Sequence, residues 1–225
     1  MVLLTTDVPL GTGAYTVNEV ACFARMHAVT ARRWFFSNNM GKAIVPDENP
    51  SKFLTFLDFV QALAVRNLRV NHHVALATIR EAIFYAKKEF DLDHPFARRH
   101  HTYLDGRQIL IRPETAPAPL HATGRAKGQH VMKPILETYL VDISFDPDSG
   151  LANRYLAYQF KDRRVLMDPD VQFGQPYVES VGISARRLAD AVQEEGGFDA
   201  AAAAFGVHVD DVVAAHRFID ELQVA

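Results

Sequence analysis

Residues 15–35, YTVNEVACFARMHAVTARRWF, contain two short helical patterns separated by a break. The first half of this stretch predicts a helix, because Thr16 can cap the amino terminus and Glu19, three residues later, completes a capping box. Apolar residues then recur at the spacing of one helical face, which we expect to be buried: Val17, Val20, Ala21 and Ala24. The stretch therefore begins with a short amphipathic helix.

The second half of the same stretch predicts another helix, over residues 28–36. Its core-facing side consists of Ala31, Trp34 and Phe35. At 100° per residue, its opposite side consists of Val29 and Arg33, flanked by Thr30 and Arg32. Two short helices joined by a tight break, with arginines facing outward on the second, indicate a helix-turn-helix that can enter a major groove. A plain helical hairpin with surface arginines is the alternative that this stretch leaves open.

The composition around this stretch is typical of a globular protein. The chain has 225 residues, of which 48% are hydrophobic and 23% charged, enough for one large domain or two small ones. No apolar run approaches the roughly 20 residues that cross a bilayer, and the amino terminus lacks the pattern of a secretion signal. Cys22 is the single cysteine, which excludes internal disulfides and cysteine-rich zinc sites and favours a cytoplasmic location.

The net charge of −3 conceals an asymmetry along the chain. Residues 1–165 carry 21 lysines and arginines against 16 acidic residues, whereas residues 166–225 carry 3 against 11. The first part thus has a net charge of +5 and the second part −8. We therefore expect a polyanion to be attracted to the first part and repelled by the second.

Beyond the opening stretch, the pattern predicts two more helices and a hairpin. The helices fall on residues 55–70 and 74–90, where apolar residues recur at helical spacing. Asp-Gly between the β-rich flanks HTYL and QILIR predicts a β-hairpin over residues 101–112. The Pro-, Gly- and Ala-rich residues 113–133 lack periodicity and predict a linker.

The last third of the chain predicts a second helical group. Residues 154–169 suit a small hairpin, after which Ser184 caps a helix and Gly206 separates two more. The fold class predicted for the whole chain is therefore mainly α, with a hairpin after the helix-turn-helix and a short hairpin in the C-terminal part. We expect a DNA-binding domain, a linker and a helical interaction domain at 14–112, 113–133 and 134–225.

Roughly the first 90 residues resemble the DNA-binding domain of MerR-type regulators, in the tyrosine–threonine start, the paired aromatics and the IREA of the fourth helix. The chain departs from that family at the turn, where Arg25 and His27 replace the usual Gly and Ser. The helix geometry predicts DNA contacts by Val29, Thr30, Arg32 and Arg33. We add Arg25 of the turn and Lys42 of the following loop, whose lysines can lie along one phosphate track with Arg32 and Arg33. Because helix-turn-helix readers pair to span two half-sites, we also expect a homodimer.

The C-terminal part resembles a small helical domain common in bacterial antitoxins, through an Asp-Pro step and a Gly-x-Pro step before its first helix: Asp168, Pro169, Gly174 and Pro176. A MerR-like front joined to such a domain resembles VapB-type antitoxins of type II toxin–antitoxin systems. That resemblance implies a PIN-domain (VapC-type) ribonuclease toxin as partner, and repression of the chain's own operon. A stand-alone MerR-like regulator, with a ligand-sensing or oligomerising C-terminal domain, is the alternative.

PIN-domain toxins resemble metal nucleases with an acidic site, so basic segments of the chain are candidate toxin contacts. Two segments qualify, GRAKGQHVMK and KDRR, with the residues Arg125, Lys127, Lys133, Arg163 and Arg164. An ordinary solvated loop is the alternative for each of them.

The sequence contains no credible catalytic or metal-binding constellation. The adjacent His72 and His73 point about 100° apart on a helix, so they cannot chelate a metal as an i, i+4 pair would. The GTG at residues 11–13 opens no βαβ unit, and FDPDSG at 145–150 lacks the ligand spacing of a calcium loop. We therefore expect no enzymatic activity, no cofactor and no metal.

Overall fold

The structure is a computed structural model that describes residues 11–36, 53–99, 101–105, 108–112, 120–121, 133–134 and 140–224. Within these residues the chain forms helices with the following bounds: Val17–Phe23 (α1), Ala28–Phe35 (α2), Phe56–Val70 (α3), Leu76–Phe90 (α4), Ala185–Glu194 (α5), Phe198–Phe205 (α6) and Val209–Val224 (α7). The four helices predicted in the first 90 residues are all present.

The described strands form two sheets. Their bounds are His101–Asp105 (β1), Gln108–Arg112 (β2), Leu120–His121 (β3), Lys133–Pro134 (β4), Ile143–Phe145 (β5), Ala152–Phe160 (β6), Arg163–Met167 (β7), Tyr177–Val178 (β8) and Ile183–Ser184 (β9). One sheet has the order β3-β2-β1-β4, and the other has the order β5-β6-β7-β8-β9. The predicted first hairpin is present, since β1 and β2 pair antiparallel with His101 opposite Arg112.

The predicted fold class, mainly α with only a short hairpin in the C-terminal domain, is wrong. That hairpin is the centre of a five-stranded sheet, in which β6 pairs with β7, β7 with β8 and β8 with β9, all antiparallel. The error has a physical reason. Three of these strands, β5, β8 and β9, are two or three residues long, too short to show the alternation by which a strand is recognised.

The chain divides by its contacts into two compact units, each made of separate segments. Unit 1 comprises Met1–His27, Ser51–Phe56 and Asn153–Ala225, and unit 2 comprises Ala28–Pro50 and Leu57–Ala152. Unit 1 has 9 lysines and arginines against 14 acidic residues, whereas unit 2 has 15 against 13. The predicted linker, 113–133, lies mostly outside the described residues, so the division at that linker stays a prediction.

The core of unit 1 lies between its sheet and helices α5–α7. Val165 and Val178 pair across β7 and β8 and pack in one cluster with Leu188 of α5 and Phe218 of α7, all at most 2% exposed. Phe23, near the end of α1, packs against the same cluster. Helix α1 is therefore held by the core of the C-terminal segment, although more than 100 residues separate them in sequence.

The helices of unit 2 bury the faces that their periodicity predicts. In α4, Ile79, Ala82, Ile83 and Ala86 are buried, and Phe96 of the following 3₁₀ turn is fully buried. His94, just before that turn, lies 2.8 Å from Asp58 of α3, measured between Nε2 and Oδ1. This contact ties the first turn of α3 to the segment that follows α4.

Candidate nucleic-acid interface

Helix α2 presents the outward face that the sequence predicts. Ala31, Trp34 and Phe35 are buried, so the helix is fixed by its apolar side. On the opposite side Val29 is 69% exposed, and Arg32 and Arg33 are also exposed. Thr30 lies at the edge of this face and is half-buried.

The exposed face of α2 carries two arginine side chains, Arg32 and Arg33. Within the part of the chain that the structure describes, neither Arg32 nor Arg33 forms an ion pair. Together with Ala28 and Val29 they line a half-open depression on the surface. Guanidinium groups of this kind suit phosphate oxygens or the O6 and N7 of guanine, and an exposed valine suits a thymine methyl group.

The helix that precedes α2 is capped as predicted. The Oγ1 of Thr16 accepts a hydrogen bond from the backbone N–H of Glu19 at 3.2 Å, and a carboxylate oxygen of Glu19 accepts the N–H of Thr16 at 2.7 Å. Both donors are ones that a helix start otherwise leaves unpaired. The capping box therefore fixes where α1 begins.

Arg25, the predicted DNA contact in the turn, belongs to unit 1 and already has an acidic partner there. Its Nη2 lies 2.6 Å from Oε2 of Glu221 on α7, and the two side chains are 42% and 44% exposed. The other described DNA-contact candidates, Val29 to Arg33, all belong to unit 2. Lys42 lies outside the described residues.

Three basic residues of the KDRR segment also pair with acids of unit 1. The ammonium of Lys161 donates to both oxygens of Asp210 at 2.8 and 3.0 Å. The second pair joins Nε of Arg163 to Oδ1 of Asp211 at 3.1 Å, and the third joins Nη2 of Arg164 to Oε2 of Glu179 at 2.6 Å. Of the other predicted toxin contacts, Arg125 and Lys127 lie outside the described residues and Lys133 lies in β4.

The sequence does not indicate a hydrogen-bonded contact between Ala14–Tyr15 and Phe173–Gly174, which we call the Tyr15 clasp. The hydroxyl of Tyr15 is buried and donates to the backbone carbonyl of Gly174 at 2.7 Å, and the N–H of Ala14 donates to the carbonyl of Phe173 at 3.0 Å. Burial, together with the nearby carboxylates of Glu19 and Asp168, raises the pKa of Tyr15. The phenol therefore stays neutral and acts as a hydrogen-bond donor.

Asp168 of the Asp-Pro motif orders the loop that leads to Gly174. Asp168 is 6% exposed, and its Oδ2 accepts from Nε and Nη2 of Arg154 at 3.1 and 3.0 Å. Its Oδ1 accepts the N–H of Asp170 at 2.9 Å, which turns the chain toward Gly174. The sequence shows the Asp-Pro motif and Gly174. Tyr15, however, lies 159 residues before Gly174, and no local pattern indicates that the two residues form a hydrogen bond.

None of the known protein-family models matches this chain. The chain is 32% identical over 116 residues to a Mycobacterium tuberculosis protein named "Putative antitoxin VapB45", which covers 48% of this chain and 48% of that protein. The chain thus spans about half the length of the curated relative that it matches.

The fold is that of a solved structure. The crystal structure of Rv2018 from Mycobacterium tuberculosis is similar with a TM-score of 0.60 and 24% sequence identity, over 93% of this chain and 98% of that one. At that identity the likeness establishes the fold only.

Among the described helices, none combines the length and the apolarity that spanning a bilayer requires.

Proposed function

We propose that this chain is the antitoxin of a type II toxin–antitoxin pair. The observation that carries the proposal is the 32% identity over 116 residues to a protein named as a VapB antitoxin. The partner is a PIN-domain ribonuclease toxin, which the chain neutralises by direct binding. The chain also represses its own operon, and it has no enzymatic role.

The proposed DNA-reading element is helix α2. Its support is geometric, since Val29, Arg32 and Arg33 share one exposed face and the two guanidinium groups are unpaired among the described residues. Buried Trp34 and Phe35 hold the helix, so the face is presented on a fixed element. The chain binds its operator as a homodimer, because two such helices read two half-sites.

A gel-shift salt series tests the DNA-reading role. The probes are a duplex from upstream of the chain's own gene and a random duplex of equal length. Arg32→Ala and Arg33→Ala are each expected to weaken operator binding roughly tenfold, since a good arginine–guanine or arginine–phosphate contact is worth about 1–3 kcal/mol. A variant that loses a phosphate contact also flattens the salt slope by about 0.9.

Arg186→Ala is the matched control for these variants. Arg186 is exposed on α5 of the acidic unit 1, and its replacement removes the same charge. It is expected to leave operator affinity nearly unchanged. Equal losses of operator affinity in Arg32→Ala, Arg33→Ala and Arg186→Ala would mean that only net charge matters. That result would contradict the assignment of α2 as the DNA-reading helix.

The proposal gives the main toxin-binding role to residues 125–133. Arg163 and Arg164 are paired with Asp211 and Glu179, so they must leave these carboxylates before they can meet an acidic toxin site. Breaking such pairs removes part of the energy that binding would gain. Arg125, Lys127 and Lys133 are the remaining predicted contacts, and their joint replacement by alanine is expected to abolish co-purification with the toxin.

The second candidate function is a stand-alone regulator. The observation that favours it is that the match to the antitoxin relative covers only 48% of each chain, while the α2 face suits DNA by itself. The two functions predict different genes next to the gene of this chain. An adjacent gene for a PIN-domain protein that co-purifies with the tagged chain supports the antitoxin; an isolated gene supports the regulator.

A further inference from the structure

Two turns in unit 1 have the same hydrogen-bond pattern but different residues at the key position. After α1, the N–H of Arg25 donates to the carbonyl of Cys22, and the next N–H donates to Ala21. After α6, the N–H of Gly206 donates to Ala203, and the next N–H donates to Ala202. Both are Schellman turns, which place one residue in the left-handed region and favour glycine there.

The chain therefore places an arginine where the turn favours glycine. Arg25 has φ 51° and Gly206 has φ 64°, so the two backbones are alike. A non-glycine residue in this region costs roughly 1–2 kcal/mol. The backbone does not favour an arginine here over a glycine, so we turn to the contact that its side chain makes.

The Arg25 side chain reaches a carboxylate on the last helix. Its Nη2 lies 2.6 Å from Oε2 of Glu221, and both side chains remain more than two-fifths exposed. Solvent therefore reaches the guanidinium of Arg25 in this ion pair. The neighbouring Asp220 is not part of this contact, because its Oδ2 lies 3.0 Å from Nδ1 of His216.

We propose that Glu221 is an internal competitor that keeps Arg25 from DNA phosphate. Arg25 stands three residues before α2 in the sequence, at the turn of the proposed DNA-reading element, and this inference rests on that proposed function. The carboxylate occupies the guanidinium in the free protein, and a phosphate oxygen of DNA makes the same charge-assisted contact. The ion pair is an autoinhibitory contact that lowers DNA affinity.

A double-mutant cycle on the full-length chain tests this contact, with the same operator and random duplexes as probes. Glu221→Gln is expected to raise DNA affinity roughly two- to fivefold more than Asp220→Asn, because it releases one exposed ion pair. It is also expected to steepen the salt slope by about 0.9, the value for one added phosphate contact. Asp220→Asn makes the same change of charge on the adjacent residue, so it measures the general relief of repulsion.

The second arm of the cycle uses Arg25→Gly, which removes the side chain and suits the left-handed backbone, so the fold is preserved. In this background Glu221→Gln is expected to raise affinity no more than Asp220→Asn does. Equal gains for the two acid variants in the wild-type background, or an undiminished Glu221→Gln gain beside Arg25→Gly, would overturn the inference. Arg32→Ala and Arg33→Ala test the proposed function separately. If only the Glu221 inference is wrong, these two variants still lose operator affinity; if α2 does not read DNA, they do not.

Discussion

Single residues of the clasp join segments that lie far apart in sequence. Gly174 has φ +86°, and its carbonyl accepts the buried hydroxyl of Tyr15. The two residues before it, Gln172 and Phe173, also have positive φ values, 49° and 57°. The side-chain amide of Gln172 donates to the carbonyl of Gly182 at 2.7 Å, and this bond helps to hold the strained loop in place.

Replacing Gly174 by alanine tests how closely this loop is fitted. A Cβ there would overlap the Tyr15 hydroxyl, and the backbone would be strained as well, so we expect Gly174→Ala to lower the free energy of unfolding by about 3 kcal/mol or more. Gly182→Ala is the control, because φ there is +68° but a Cβ meets nothing within 4 Å. It is expected to cost only about 1 kcal/mol in urea unfolding. Equal losses for the two variants would mean that Tyr15 is not packed as described.

The candidate site was predictable at residue scale where the helical period sets exposure. The spacing that places Trp34 inside also places Val29 and Arg33 outside, and the structure has them so. The ion partners of Arg25 and Arg163 were not predictable. Glu221 lies 196 residues beyond Arg25, and no local pattern reports a contact over such a distance.

At the scale of elements, the turn between β6 and β7 is tied to the start of α7. Lys161 has φ 53° in this turn, and its ammonium binds both carboxylate oxygens of Asp210. This hydrogen-bonded cation lowers the pKa of Asp210 below its ordinary value of 3.8. The pair therefore connects the central hairpin of the sheet to the helix that also carries Glu221.

The lowered pKa of Asp210 predicts a specific pH dependence. Because the folded protein holds this carboxylate ionised, the stabilisation is fully present above pH 3.8 and is lost as the pH falls through the folded value. Lys161→Gln removes it, so the urea midpoint is expected to be lower than that of the wild type at neutral pH, with the gap closing in acid. A gap that stays constant down to the acid limit would contradict this coupling.

Arg187→Gln is the control for that series. It removes one positive charge from α5, the 3.4 Å pair of Arg187 with Glu194 and the contact of the guanidinium with the Phe205 ring, just as Lys161→Gln removes a contact with the Phe160 ring. Its difference from the wild type is expected to be small throughout, as is usual for an exposed pair.

The elements that the sequence predicted correctly are those with a repeated local signal. Helices α1 to α4 show apolar residues at helical spacing, α1 also has a capping box, and β1–β2 has an Asp-Gly turn between β-rich flanks. Strands β8 and β9 are each two residues long and follow a stretch rich in proline and glycine, so they looked like irregular chain. Their pairing is set by tertiary packing against α5 and α7 rather than by their own sequence.

At the scale of the whole molecule, the two helices of the opening stretch belong to different compact units. Unit 1 contains α1 and its turn as far as His27, and α2 begins unit 2 at Ala28. A boundary drawn along the sequence cannot express such a division, because each unit is built from separate segments. The same division gives the negatively charged unit the residues that pair with Arg25, Arg163 and Arg164.

The proposed antitoxin function assigns DNA to α2 and a ribonuclease toxin to a different part of the chain. The division of charge agrees with this assignment, since unit 2 has two more basic than acidic residues and unit 1 has five more acidic than basic residues. A regulator without a toxin would need only the α2 face. Whether the chain binds and inhibits a toxin therefore decides between the two functions.

The most direct measurement is the ribonuclease activity of the toxin that we propose as the partner, a PIN-domain protein whose gene is expected to lie next to the gene of this chain. The purified nuclease cleaves an RNA substrate in the presence of its metal ion, and the chain is added in increasing molar ratio. We expect cleavage to stop at a stoichiometric ratio and the two proteins to elute together in gel filtration. Full nuclease activity at a large excess of the chain, with the two proteins eluting separately, would contradict this expectation.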